Sequence, residues 1–105
     1  MNMLADAHTD AQVSHSAALL KALAHPMRLA IIELLRGGEL CVCNLEQALG
    51  CRQAYVSQQL TVLRDAGIVS VRREGWRVYY RVTQPAIFSL VDLACAVARR
   101  NGTAS

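Results

Sequence analysis

Residues 50–67 read GCRQAYVSQQLTVLRDAG, a stretch that has one apolar and one polar helical face. Its apolar residues Val56, Leu60 and Leu63 follow the i, i+4, i+7 spacing of a buried face. Polar side chains hydrogen-bond base edges and phosphates, and a small residue lets a helix approach DNA closely. The side chains that we predict to face DNA are Arg52, Gln53, Ala54, Tyr55, Ser57, Gln58 and Gln59.

The six residues before this stretch complete a known pattern. Residues 44–49, NLEQAL, predict a short first helix, and Gly50 predicts its end. A helix, a tight turn and a second helix with a polar outer face are typical of a helix-turn-helix. An ordinary amphipathic surface helix is the alternative interpretation of residues 50–67.

After Gly67 the apolar period changes from helical to strand-like. Residues 68–73 and 77–82 predict two strands of a hairpin around Glu-Gly-Trp. A basic hairpin directly after such a helix is typical of the wing of a winged helix. Arg73 and Arg77 near its tip suit contacts to the phosphate backbone or minor groove. We expect Trp76 to pack beneath the tip, with contact to the sugar-phosphate backbone as the alternative.

The remaining sequence predicts three more helices. One runs through residues 13–24, one starts at Pro26 and ends at two glycines, and Pro85 opens the last. Residues 39–43 are predicted to be a short connector. The predicted fold is mainly α, a winged helix-turn-helix of roughly five helices and a two-stranded wing. Its predicted parts are a flexible arm at 1–11, a DNA-binding and dimerisation domain at 12–100 and a flexible tail at 101–105.

Composition sets further bounds on the 105 residues. Residues 52–81 hold six arginines against two carboxylates, a local net charge of +4, so the rest of the chain carries −1. This asymmetry favours a polyanion partner, although a solvated basic face is the alternative. No apolar run reaches a membrane span and no secretory signal is visible, so we expect a cytoplasmic protein. No nucleophile triad, glycine-rich phosphate loop or HExxH motif is present, and we expect no enzyme activity.

The last predicted helix has an apolar stripe formed by Ile87, Val91, Ala94 and Ala98. So small a domain has little core in which to bury it. A second copy of the chain would cover the stripe and would supply two reading helices for a two-fold DNA site. We therefore predict a homodimer, with packing on the chain's own core as the alternative for part of the stripe.

In combination, several motifs resemble the ArsR/SmtB family of winged-helix repressors. They are LAHPMRL at 23–29, ELCVCNL at 39–45, VSQQL at 56–60 and GIV at 67–69. The resemblance covers residues 23–82. It implies a homodimer that binds double-stranded operator DNA and represses a small detoxification or efflux operon. It also implies release when an inducer, commonly a metal or metalloid ion, binds cysteine thiolates, with no organic cofactor and no small-molecule substrate.

Cys41 and Cys43 match the family's Cys-Val-Cys thiolate motif. Such a pair suits soft ions: As(III) and Sb(III), or Cd(II) and Pb(II). Residues i and i+2 point apart on a regular helix or strand, so both sulfurs reach one ion only if the backbone is irregular there. In a cytosolic chain we expect free thiols rather than structural disulfides.

The sequence leaves open which residue completes the ion site at Cys41 and Cys43. Where arsenite-sensing members have a third cysteine, this chain has Glu46, and Cys51 is the nearest replacement by sequence. Cys51 is predicted as a third ligand, with an ordinary turn residue as the alternative. His8, Asp10 and His15 are other candidates, whereas Cys95 is predicted to be a small buried hydrophobe. A redox- or persulfide-responsive repressor of the same fold is the alternative function.

Overall fold

The computed structural model describes residues 8–102, beginning with a capped helix. Helix α1, Asp10–Leu23, starts in a capping box: Thr9 Oγ1 accepts from Gln12 N–H at 3.0 Å, and Thr9 N–H donates to Gln12 Oε1 at 2.9 Å. The helix therefore begins inside the stretch that we predicted to be a flexible arm. The rest of that arm, residues 1–7, and residues 103–105 of the tail lie outside the described residues.

Five α-helices and three strands make up the domain, and the sequence predicted the five helices and two of the strands. After α1 come α2 (Pro26–Leu34), a 3₁₀ turn (Leu35–Gly37), β1 (Leu40–Cys41), α3 (Val42–Leu49), α4 (Gln53–Asp65), β2 (Val69–Glu74), β3 (Arg77–Val82) and α5 (Ala86–Arg100). His25 caps α2, because its Nδ1 accepts from Met27 N–H at 3.1 Å. Gly50 ends α3 in the left-handed conformation at φ 64°.

The sheet has one strand more than the sequence predicted. Its order is β1-β3-β2, all antiparallel, with Leu40 opposite Tyr80 and Cys41 opposite Tyr79. Residues 39–43, predicted to be a connector, thus contain a strand that pairs with the wing. Two residues are too few to show an alternating pattern, so only the pairing partner reveals this strand.

The core lies where α2, α3, α4 and the sheet meet. The described side chains with no solvent exposure are Ile31, Ile32, Leu45, Val56, Leu60, Leu63 and Ile68. They come from α2, α3 and α4 and from the turn before β2, so the helix-turn-helix and the wing share one core. Among residues 8–102, no helix is long and apolar enough to cross a membrane.

The apolar residues of α5 are divided between the core and the surface. Ile87 and Val91 are each 4% exposed. Part of the stripe therefore packs on the chain's own core, which was the alternative to a dimer interface. Leu93 and Val97 are 65% and 55% exposed, and Leu20 on α1 is 50% exposed. An apolar groove of about 450 Å³ runs between α1, α2 and α5. The two terminal helices therefore present a large apolar surface that the protomer does not cover.

Candidate nucleic-acid interface and the adjoining thiol pair

Helix α4 buries one face and exposes the other. Val56, Leu60 and Leu63 are fully buried. Of the residues predicted to face DNA, Ser57 is half-buried, while those that the structure exposes are Arg52, Gln53, Ala54, Tyr55 and Gln58. These exposed residues lie in the first two turns and at the N-cap, the part of a recognition helix that contacts base edges in a helix-turn-helix.

Arg52 occupies the N-cap of α4 and makes no side-chain capping bond there. The first N–H groups of a helix lack intrahelical partners, and the helix dipole favours an anion at this end. Arg52 and these N–H groups together suit a backbone phosphate. Arg52 therefore remains one of the residues that we predict to face DNA.

Gln59 is a correction to the predicted DNA-facing set. Its side chain is buried at 7% exposure, and its Oε1 accepts from Arg28 Nε at 2.9 Å. Arg28 Nη1 also donates to the Ala22 carbonyl at 3.1 Å, so this pair links α1, α2 and α4. Gln59 lies three residues after Val56 and one before Leu60, so it borders the buried face. Its contact with Arg28 places it there.

The wing is the two-stranded hairpin formed by β2 and β3. Its tip turns at Gly75, whose φ of 62° favours glycine. Arg73 and Arg77 are exposed beside the tip. Trp76 is 85% exposed, with the Arg77 guanidinium 5.2 Å from its ring centroid. The expectation that Trp76 packs beneath the tip is therefore wrong, because the short hairpin leaves no core there.

Arg72, another arginine of the wing, is held by contacts to neighbouring side chains of the protein. Its guanidinium donates to Glu39 at 2.8 and 3.0 Å and to Glu74 at 3.1 Å, and lies 4.6 Å from the Tyr79 ring centroid. The hydrogen bond from Arg72 holds the pKa of the Glu39 carboxyl below its usual range. Because Glu39 immediately precedes β1, this contact ties the wing to the strand that carries Cys41.

We expect each of the substitutions Arg73→Ala and Arg77→Ala to lower the salt dependence of DNA binding. Losing one phosphate contact reduces the slope of log affinity against log salt by about 0.9. The measurement is anisotropy of a labelled DNA fragment over a salt series. Arg100→Ala removes the same charge at an exposed position on α5 and serves as the control. Unchanged slopes in both wing variants would remove these arginines from the interface.

Cys41 and Cys43 lie together at the start of α3. Cys41 is 4% exposed and has extended backbone as the N-cap, whereas Cys43 is exposed in the first helical turn. This change from extended to helical backbone is the irregularity that brings the two side chains together. The structure joins their sulfurs in a disulfide. The expectation of free thiols therefore does not describe this structure. The Asn44 backbone N–H donates to Cys41 Sγ at 3.4 Å, so the sulfur also caps the helix.

The other candidate ligands are not assembled around this pair. Within residues 8–102, no three His, Cys, Asp or Glu side chains are grouped so that they could hold an ion. Cys51, the predicted third ligand, is half-buried against the core, and its thiol donates to the Leu49 carbonyl at 3.5 Å. Neither Cys51 nor Glu46 completes a site within one protomer. Cys95, predicted to be buried, is exposed and lines the groove beside α5.

The thiol pair adjoins both predicted DNA-binding elements. A depression of about 300 Å³ is lined by residues 41–43, by Gln53 of α4 and by residues 76–78 of the wing. One small surface thus contains the two sulfurs, the first residue of the recognition helix and the wing tip. A ligand bound in this depression would lie against the residues that we predict to contact DNA.

A helix-turn-helix with an exposed second helix, followed by a basic hairpin, defines a winged helix DNA-binding protein. Residues 25–71 match the sequence profile of the bacterial regulatory protein, arsR family. The biofilm growth-associated repressor of Agrobacterium fabrum is 46% identical over 81 residues, which are 77% of this chain and 69% of that protein. The chain belongs to the arsR family, as its motifs predicted.

Solved structures agree with this assignment. A homodimeric winged helix-turn-helix DNA-binding domain from Mycobacterium bovis superposes with a TM-score of 0.78 at 34% identity, covering 91% of this chain and 92% of that one. Reduced HlyU from Vibrio cholerae gives a TM-score of 0.74 at 31% identity, covering 84% and 93%. The winged helix-turn-helix fold predicted from the sequence is confirmed.

Proposed function

We propose that this chain is an operator-binding transcriptional repressor whose sensor is the pair Cys41 and Cys43. Thiophilic ions that bind the reduced pair, As(III) and Sb(III) or Cd(II) and Pb(II), would release the protein from DNA. Sulfur ligands select this class of ion over hard cations such as Mg²⁺. The family and the printed name of its Agrobacterium relative support repression.

The observation that carries the proposal is the double role of Cys41. Its backbone pairs with Tyr79 in the wing, and its sulfur caps the helix that precedes the recognition helix. A ligand that bridges the two sulfurs of the reduced pair fixes the geometry at Cys41. A change at Cys41 then displaces the wing and α3 together. The hydrogen bond between Glu39 and Arg72 adds a second link to the wing. Binding at the sulfurs is thereby coupled to both DNA contacts.

We infer that the working unit is a homodimer. Leu20, Leu93 and Val97 expose an apolar surface on the terminal helices, and the Mycobacterium bovis neighbour is described as homodimeric. Two copies joined through this surface would present two recognition helices to a two-fold operator. Such a site explains why a domain with modest net charge could bind DNA tightly.

Oxidation is the second candidate signal, and the disulfide between Cys41 and Cys43 favours it. Its formation from the reduced pair joins the two sulfurs and passes two electrons and two protons to a peroxide or a low-molecular-weight disulfide. The same coupling through Cys41 would serve either signal.

The test is anisotropy of a labelled operator fragment bound to the reduced protein, titrated separately with each ion and with an oxidant. We expect a thiophilic ion to lower operator affinity by roughly 5- to 150-fold, the usual range of allosteric coupling. Cys41→Ser and Cys43→Ser should bind DNA like the parent but no longer respond, whereas Cys95→Ser should respond fully. If both serine variants release DNA like the parent, the sensor is elsewhere. Release by oxidant alone would favour the redox signal.

A further inference from the structure

We propose that Trp76 is a minor-groove wedge, a side chain that enters DNA at the wing tip and partly separates two neighbouring base pairs. This inference rests on the proposed function and adds a determinant of operator choice to it. The indole is 85% exposed at the end of the hairpin, an exposure that folding does not explain. A wedge of this kind selects DNA by how easily a base step unstacks rather than by hydrogen bonds to base edges.

The exposed large apolar side chains of residues 8–102 fall into two groups. One group lies on α1 and α5, the helices that we assign to the dimer, and consists of Val13, Leu20, Leu93 and Val97. The other group is Tyr55 on the recognition helix and Trp76 at the wing tip. A dimer through α1 and α5 accounts for the first group only. The exposure of Trp76 therefore calls for a partner on the DNA-binding side.

The hairpin holds the indole in a defined position. The ladder of β2 and β3 continues to its last pair, Glu74 with Arg77. Gly75 and Trp76 are therefore a tight two-residue turn. The Arg77 guanidinium lies 5.2 Å from the indole centroid, so it covers one ring face and leaves the other face open. A short turn and a braced ring have little freedom to lose on binding.

The charges around the turn suit a minor groove. Arg73 and Arg77 are exposed on either side of it, and the negative potential of a narrow minor groove attracts arginine. The carboxylate next to the turn, Glu74, accepts from Arg72 Nη1 at 3.1 Å, so its charge is offset within the wing. Proteins that kink DNA from the minor groove combine such basic residues with an apolar wedge. The wing tip has both.

The wing tip also lies next to the recognition helix. Trp76 and Gln53 line the same depression of about 300 Å³, so the turn is beside the first residue of α4. With α4 in a major groove, the tip meets the bordering strand and the indole enters the adjacent minor groove. Pyrimidine–purine steps unstack most easily. The wedge therefore favours a TA or CA/TG step at a fixed distance from each half-site.

The experiment selects bound duplexes from a random double-stranded DNA library, using the reduced full-length parent and Trp76→Ala in parallel. We expect the parent to enrich two half-sites and, at a fixed distance from each, a TA or CA/TG step. Trp76→Ala should enrich the same half-sites without the flanking step, because the exposed face of α4 is unchanged. On the duplex that the parent selects, the variant should bind roughly 5- to 30-fold more weakly, the lower part of the range for one base–aromatic stack.

Two further measurements on the selected duplex separate a wedge from a simple surface contact. With 2-aminopurine in place of adenine at the flanking step, the parent should raise its fluorescence as the step unstacks. Trp76→Ala should not raise it, and Trp76→Phe, which keeps an aromatic ring, should raise it in part. The salt dependence of binding should be the same in Trp76→Ala and the parent, because the indole neutralises no phosphate.

Half-sites enriched by the parent without a flanking step would overturn the wedge and leave the proposed function intact. A 2-aminopurine signal that Trp76→Ala retains would do the same. A fall of about 0.9 in the salt slope of Trp76→Ala would also overturn it, since Trp76 would then act by orienting Arg77 on a phosphate. A parent that enriches no half-site at all would remove both proposals.

Discussion

A chain that carries Leu93→Glu and Val97→Glu is expected to be a folded monomer that binds a two-fold operator at least about 100-fold more weakly than the parent. Both side chains are more than half exposed on α5, so glutamate costs the protomer little. In a dimer the same positions would bury four carboxylates in an apolar interface, where unpaired charge is strongly unfavourable. Loss of the second recognition helix then removes the bivalent gain in affinity.

Sedimentation equilibrium measures the oligomeric state, and anisotropy of a labelled operator measures the affinity for DNA, both on the same samples. Gln84→Glu is the control, because it adds a negative charge at an exposed position outside α1 and α5. It should remain dimeric and lose little affinity. A glutamate double variant that stays dimeric would place the interface elsewhere, and a monomer with parental affinity would show that one helix suffices for binding.

The sequence predicted the elements whose patterns are long and local. All five helices and the hairpin were found from apolar spacing, from proline at residues 26 and 85, and from glycine at residue 50. Strand β1 was missed because it is two residues long and is defined by β3, almost 40 residues later. Long-range pairing of this kind leaves no periodic signal in a short segment.

The candidate site could be predicted as a set of residues but not as an arrangement. Spacing alone could not decide whether Gln59 faces outwards, since a polar residue between apolar positions is ambiguous until its partner Arg28 is known. Similarly, the motif identified Cys41 and Cys43, but the turn that joins their sulfurs depends on the pairing of β1 with the wing. Their position beside Trp76 is a tertiary feature that no local pattern contains.

This shared arrangement also explains why core packing matters for function. Leu60 lies on the inner face of the recognition helix, in the same core as Leu45 of α3 and Val69 of the wing. Its side chain therefore supports the surface that presents α4 to DNA. A cavity there weakens the connection between the thiol pair and both DNA-binding elements.

Leu60→Ala is accordingly expected to lower the free energy of unfolding by about 2–5 kcal/mol. Leu60 has no solvent exposure, and the close-packed core can only partly collapse around the missing atoms. For a domain of this size each kcal/mol lowers Tm by roughly 4–8 °C, so a fall of at least about 8 °C is expected. The measurement is thermal and urea unfolding followed by circular dichroism at equal protein concentration, because dimerisation makes Tm depend on concentration.

Thr61→Ala provides the matched control at the next position of the same helix. Thr61 is exposed, and its hydroxyl donates to the Ser57 carbonyl at 3.0 Å, a bond that adds little to a helix. Its replacement by the best helix former should change stability by no more than about 0.5 kcal/mol. If Leu60→Ala were as mild as Thr61→Ala, α4 would not be anchored by this core. Coupling between the sulfurs and the recognition helix would then need another route.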